Sequence, residues 1–313
     1  IVVEPYTSKI LAIIGGKDYA SSQFNRATQA NRQIGSTIKP LLYYLALENG
    51  FTPATTFLCE PTTFKLDDNS TYSPSNFNDK YAYKDVTLAQ AIAVSDNIFA
   101  VKTHLFLGTD NLASLIKKFG IKDVKANASL ALGTLNTNIY NLANMYNCLA
   151  SEGKYNHLYT IEKITNDDGK VLYQHEQEDK QLLEQDSCLE LSQLLTSTFN
   201  STFSTYLQAT MASYQLDNIN ACKTGSTDVD NLAVAYNPQV LVASWVGYDD
   251  NRKMETADDK TVAKKTVIDV LNYTNENKDV TWYQPTEDLQ QIAINPLTGD
   301  FDENGTVYWF KKD

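Results

Sequence analysis

The sequence changes period near residue 220, and that change limits the possible folds more than any other feature. Three consecutive runs there read as strands: Ala221-Cys-Lys-Thr-Gly-Ser226, Asn231-Leu-Ala-Val-Ala-Tyr236 and Val240-Leu-Val-Ala-Ser-Trp-Val-Gly247. The last two join across Asn237-Pro-Gln239. A second strand signal stands at the far end of the chain. Residues 1–16 read as a hairpin, because Ile1-Val-Val and Ile10-Leu-Ala-Ile-Ile14 flank the turn-like Pro5-Tyr-Thr-Ser-Lys and stop at Gly15-Gly16.

Helical spacing fills the middle. Ile38, Leu41, Leu42 and Leu45 recur on one face from about residue 37 to 47, and Gly50 follows as a stop. Further helical patterns run over 87–94, 98–107, 110–119, 137–151 and 181–212, with a hairpin at 161–173 and a last helix at about 261–273. Residues 51–86 are rich in Thr, Pro, Asn, Asp and Tyr and read as a mostly irregular excursion. Beyond 282, the turn signals Pro296-Leu-Thr-Gly299 and Glu303-Asn-Gly305 suggest a small β appendage.

Composition excludes several functions. With 313 residues and 42% hydrophobic content the chain can bury one large core. Lys plus Arg at 26 against Asp plus Glu at 38 gives a net charge of −12, which argues against nucleic acid as a partner. Cys59, Cys148, Cys188 and Cys222 form no CxxC pair and have no suitably spaced histidine, so their spacing supports neither a zinc site nor a disulfide-rich scaffold; no metal or other cofactor is expected. No run has the roughly 18 apolar residues of a membrane span. Because the chain opens at Ile1 already in a strand-like pattern, the expectation is an excised domain of a longer protein.

The chemistry candidates begin at Gly35-Ser-Thr-Ile-Lys-Pro40. Ser36 and Lys39, three apart at a helix start, project into the same space, where free N–H groups favour a developing oxyanion and a neutral lysine. Pro40 is tolerated in a first turn. The pattern alone is weak, since Ser114-Leu-Ile-Lys117 repeats it inside an ordinary amphipathic helix. Ser95-Asp-Asn97 stands at a break between two apolar helices, where capping would equally explain it. Lys223-Thr-Gly225, followed by Ser226 and Thr227, opens a strand whose glycine permits close backbone approach. His104, His157 and His175 are scattered, and Cys222 alternates to the face opposite Lys223. Asp249, Asp250, Asp258 and Asp259 read as solvated surface acids.

Taken in order, these three segments resemble the active-site motifs of serine penicillin-binding proteins and β-lactamases. Ile14-Gly-Gly-Lys-Asp-Tyr19, Phe24-Asn-Arg-Ala27, Ala131-Leu-Gly133 and Trp245-Val-Gly-Tyr248 are similar to segments of the transpeptidase domain of class A, bifunctional penicillin-binding proteins. One departure is visible: where such domains carry an acidic-Ala-Trp-Phe segment, this chain reads Asn231-Leu-Ala-Val-Ala-Tyr236.

The resemblance implies an α/β (α+β) fold with a five-stranded antiparallel sheet covered by helices. The sheet would come from about 1–16 and 220–275, the helical lobe from about 50–200, the domain from 1–275, and the appendage from 276–313. It further implies a peptidoglycan D,D-transpeptidase acting on stem peptides ending in D-Ala-D-Ala and acylated by β-lactams. Ser36 would be the nucleophile and Lys39 its base. Ser95 would pass a proton, Asn97 would orient Lys39, and Lys223 would supply positive potential. Thr224, Gly225, Ser226 and Thr227 would bind substrate, and the backbone N–H groups of Ser36 and Ser226 would form the oxyanion hole. The implied parent is anchored in the bacterial cytoplasmic membrane, with this domain outside and a glycosyltransferase domain N-terminal to it.

Three rivals remain. A class A β-lactamase needs a deacylating glutamate in an ExxLN segment, and none lies between Asn97 and Lys223. A D,D-carboxypeptidase differs only in its acceptor. A peptidoglycan-binding or β-lactam-sensing module would acylate once and stop.

Overall fold

Segments from opposite ends of the chain build one sheet. The computed structural model describes residues 1–312 apart from 67, 179, 257 and 277. Strands β1 (Val2–Glu4), β2 (Lys9–Ala12), β3 (Ala221–Ser226), β4 (Asp230–Tyr236) and β5 (Leu241–Gly247) lie in the order β3-β4-β5-β1-β2. Every pairing is antiparallel. The first and last thirds meet where Val2 pairs with Val242 and the Ala243 N–H donates to the Ile1 carbonyl at 2.9 Å.

The composition of β4 explains its interior place. All seven of its residues are buried, as an apolar run does when both faces of a sheet are covered. On one face lies the helix Val262–Asn275, whose Ala263, Val267 and Leu271 recur at i+4 against Cys222, Ala233, Ala235 and Val242. Fully burying each large apolar side chain stabilises the fold by about 1.5–3 kcal/mol. On the other face the helices Ile139–Ala150 and Gln185–Thr196 cover the sheet. There Tyr146 meets Tyr236 edge to face at 6.4 Å, and Ser192 Oγ lies 3.0 Å from the Tyr236 hydroxyl.

The helical lobe holds three segments that matter for the site: α1 (Lys39–Glu48), α2 (Leu88–Val94) and α3 (Asn97–Leu107). Every residue of α2 is buried. The fold is therefore α/β, with a five-stranded antiparallel sheet between helical layers and a helical lobe beside it.

Three sequence expectations change in detail. The helix expected over 181–212 ends at Thr196 and continues as 3-10 turns. The Thr196, Ser197 and Thr198 hydroxyls donate to carbonyls of Gln193, Leu194 and Leu195, competing with the helical pattern. The excursion at 51–86 carries short ladders, Thr56–Leu58 with Asp85–Thr87 and Phe64–Lys65 with Thr71–Tyr72. The tail forms a hairpin of Leu289–Ile294 with Thr306–Lys311, and its Tyr308, Trp309 and Phe310 join the main hydrophobic cluster.

Candidate active site

The site forms where β3 passes the start of α1. Ser36 is the half-buried second residue of a 3-10 turn, Gly35–Ile38, that runs directly into α1. The sequence pattern predicts one helix through 37–47. The tighter entry turn places residues three apart more nearly in line, so Ser36 and Lys39 stack along one edge. Gly35 has φ +54° and donates its N–H to the Gly133 carbonyl at 3.1 Å. Gly133, at φ +78°, sits so close that an added Cβ would lie 1.8 Å from the Gly35 oxygen. The serine is thus held from below by a glycine-to-glycine contact.

Lys39 is fully buried, and its Nζ lies within hydrogen-bonding distance of four oxygens, Ser95 O at 2.8 Å, Asn97 Oδ1 at 2.7 Å, Asp96 O at 3.1 Å and Ser95 Oγ at 3.3 Å, more than its N–H groups can serve at once. Lys223 is also fully buried. Its Nζ donates to the same Ser95 Oγ at 2.9 Å and to the Thr224 carbonyl at 2.9 Å. One hydroxyl therefore bridges two amines. Burial, reinforced by the nearby Lys223 charge, holds Lys39 well below the usual lysine range, against an opposing pull from Asp96. Burial brings Lys223 down to about 7. Two ammonium ions this close in a buried site repel strongly, which works in the same direction and disfavours a proton on Lys39.

Ser95 reaches both amines because it ends α2 in the left-handed conformation, φ +60°. Asp96 then caps α3, with Phe99 N–H donating to its Oδ1 at 2.6 Å. Asn97 is fixed twice more: its N–H donates to Asn76 Oδ1 at 2.7 Å, and its Nδ2 donates to the Ser75 carbonyl at 2.7 Å.

The residues after Lys223 divide. Gly225 packs against the chain itself, since a Cβ there would fall 2.6 Å from Ile34 O and 2.9 Å from Thr37 Cγ2. Its missing side chain lets β3 approach the serine turn. Thr224 is buried beside Lys223. Ser226 lies against Gly35, where a Cβ would meet its O at 3.0 Å and its N at 3.3 Å, which sets its backbone beside that of Ser36. The Ser226 hydroxyl donates to Asn231 Oδ1 at 3.0 Å. Thr227 is committed to the β3–β4 turn: its Oγ1 accepts from Asp230 N at 3.0 Å and Val229 N at 3.2 Å.

Several residues escape sequence reasoning. Asp230 Oδ1 accepts from Arg32 Nη2 at 2.8 Å, Arg32 Nε at 2.9 Å and Trp245 Nε1 at 2.9 Å, with the Arg32 guanidinium over the Trp245 ring at 5.3 Å. Leu232 of β4 pairs with Trp245 of the neighbouring strand. Asp96, Asn76, Cys59 and Tyr206 also escape notice. The only sequence signal for them is a lone carboxylate inside the apolar stretch Ala93-Val-Ser-Asp-Asn-Ile-Phe-Ala100. Ser114 and Lys117 stand in the helix Thr109–Lys118, apart from the cluster, and the three histidines make local contacts elsewhere.

The architecture is that of penicillin-binding protein transpeptidase domains. Penicillin-Binding Protein 1A from Haemophilus influenzae superposes with a TM-score of 0.89 at 23% identity, over 99% of this chain and 52% of that one. The PonA1 protein from Mycobacterium tuberculosis, in complex with penicillin V, gives 0.76 at 20% identity, over 91% and 80%. Residues 1–257 match the family model described as the penicillin binding protein transpeptidase domain, and the chain belongs to that family. It is 39% identical over 301 residues to penicillin-binding protein 2D of Bacillus subtilis (strain 168), covering 95% of this chain and 44% of that protein. With penicillin-binding protein 1A of Aquifex aeolicus (strain VF5) it shares 32% identity over 307 residues, 95% of this chain and 40% of the relative. The chain thus spans less than half the length of these curated relatives. No helix among the described residues is long and apolar enough to cross a membrane.

Proposed function

We propose that the domain is a serine D,D-transpeptidase that cross-links peptidoglycan stem peptides through an acyl-enzyme on Ser36. The observation that carries this reading is the Ser95 hydroxyl bonded to both Lys39 and Lys223 beside the serine turn.

Ser36 Oγ attacks the carbonyl of the penultimate D-alanine while neutral Lys39 takes its proton. The oxyanion lies toward the backbone N–H groups of Ser36 and Ser226, where one donor is worth about 2.7–4 kcal/mol of barrier. As the C–N bond breaks, the proton passes from Lys39 through Ser95 to the departing amine, and D-alanine leaves. A second stem peptide's amine then attacks the ester, its proton returns along the same route, and Ser36 regains its hydrogen. Lys223 and Thr224 receive the substrate carboxylate, while Thr227 shapes the turn beside it. β-Lactams acylate the same serine, in keeping with the penicillin V complex of the structural relative.

The parent is a class A protein with an N-terminal glycosyltransferase domain, anchored so that this domain faces outward. The greater length of the penicillin-binding protein relatives supports that assignment.

Intact-mass measurement after penicillin treatment tests the nucleophile: the parent gains one adduct and Ser36→Ala gains none. An undiminished adduct on Ser36→Ala refutes it. Lys39→Ala abolishes acylation and Lys117→Ala does not. A donor thioester with a D-amino acid acceptor yields the aminolysis product. Hydrolysis alone would return the carboxypeptidase reading, and a single acylation without turnover the sensor reading.

A further inference from the structure

Asp96 has no exposed surface and is surrounded by donors. Phe99 N–H donates to its Oδ1 at 2.6 Å. Its Oδ2 accepts from Asn76 Nδ2 at 2.6 Å, the Tyr206 hydroxyl at 2.7 Å and the Cys59 thiol at 2.9 Å. A carboxylate, which only accepts, satisfies all four. The peptide carbonyl of the same residue accepts from Lys39 Nζ at 3.1 Å. Asn76 extends the connection, because its Oδ1 accepts from the N–H of Asn97, the residue whose own Oδ1 holds Lys39.

Asp96, Asn76 and Cys59 are buried and Tyr206 is half-buried, so the effect of the carboxylate must travel through the turn. Ser95 sits in a left-handed conformation that costs a non-glycine residue about 1–2 kcal/mol and persists only where its surroundings fix it. The four bonds to Asp96 fix it on the C-terminal side, as the wholly buried α2 does on the other.

We infer that Asp96 is a positioning residue: its buried carboxylate locks the Ser95–Asn97 turn onto Lys39. The inference rests on the assignment of Lys39 as base. Two charges act on Lys39, Lys223 from β3 favouring the neutral amine and Asp96 from the turn favouring the ammonium. The other titratable groups nearby keep their protons. Burial raises Tyr43 of α1 well above the usual tyrosine range, raises Tyr206 likewise, and pushes Cys59 up to about 12, in each case aided by the Asp96 charge. Cys222 and Lys264 act on Lys223 rather than on Lys39.

The test is the pH profile, from about pH 5 to pH 10, of the second-order rate of acylation by a fluorescent penicillin, whose acid limb reports the base of the free enzyme. In Asp96→Asn the rate falls about 100-fold as the turn shifts, and the acid limb moves to lower pH because Lys39 loses a favourable charge. In Tyr206→Phe the carboxylate loses a donor, its charge is less quenched, and the limb moves to higher pH. The opposite signs are the signature. Limbs that stay at the parent's pH in both variants, with only the amplitude or thermal stability changed, would reduce Asp96 to a structural cap and overturn the inference. Should Asp96→Asn fail to fold, the upward shift in Tyr206→Phe supports the proposal and an unmoved limb refutes it. Lys39→Ala separates the two readings: parental acylation there refutes the base itself, whereas a dead Lys39→Ala with unmoved limbs defeats only the role given to Asp96.

Discussion

Replacing Lys223 with methionine removes a buried charge and should change how stability responds to pH. The Lys223 ammonium is brought from 10.5 to about 7 by burial. Above 10.5 the amine is neutral whether the chain is folded or not, and the group has no effect. Below 7 it is charged in both states, and the fold bears the whole cost of burying it. Between those values the unfolded chain holds a proton that the folded chain has released, so stability rises with pH. At about 1.4 kcal/mol per pH unit, the full effect approaches about 5 kcal/mol. Only part is accessible in a practical experiment. Between pH 7 and pH 9 the parent should gain about 2–3 kcal/mol more than Lys223→Met, measured as unfolding free energy in urea. Titrations common to both chains cancel in that difference, and relief of Lys39 from its like-charged neighbour acts in the same direction. Equal responses in the two chains would show that Lys223 remains an ammonium in the folded protein. The argument that burial takes the proton from Lys223 would then fail, while the retained charge would go on disfavouring a proton on Lys39.

Two other substitutions probe the scaffold. Gly133→Ala places a Cβ 1.8 Å from the Gly35 oxygen at a left-handed position, so it should cost more than about 3 kcal/mol and slow labelling by fluorescent penicillin. Labelling at the parental rate would show that the glycine contact does not hold the serine turn. Trp309→Ala, which empties a buried site in the tail hairpin, should lower stability by about 3–5 kcal/mol in urea unfolding. A loss below about 1 kcal/mol would favour a separate appendage over a hairpin integral to the domain.

The strands and the three motif segments were legible because their signals are local: β-branched runs, a proline in a first turn, a break between apolar helices. What links them was not. Nothing in the order of residues tells that Asp96 faces Cys59, Asn76 and Tyr206, which approach from three directions. Gly225 reads as room for a substrate, yet the structure fills that room with Ile34 and Thr37, because close packing of β3 on the serine turn is a tertiary demand. Thr227 reads as a hydroxyl donor, and the structure shows its Oγ1 also accepting from the Val229 and Asp230 N–H groups of its own turn. The missing tryptophan of β4 was a true departure at the level of the strand. Cross-strand pairing sets Leu232 opposite Trp245, a neighbour visible only once register is known. Beyond Thr196 the apolar pattern continued while hydroxyls bonded to the preceding turn ended the helix, a local contest that periodicity does not register.

The pairing of β1 with β5 has a consequence for how the enzyme comes into being. A chain synthesised from its N-terminus presents its first strand, its serine turn and its helical lobe well before their partners exist. Until residues 221–247 emerge, Val2 has no neighbour at Val242 and Ser95 has only one of its two amines. On the proposed mechanism, reactivity is therefore withheld until residues 221–247 have emerged. Capture of an antibiotic by nascent chains truncated at successive lengths would register the moment of closure as a single late step.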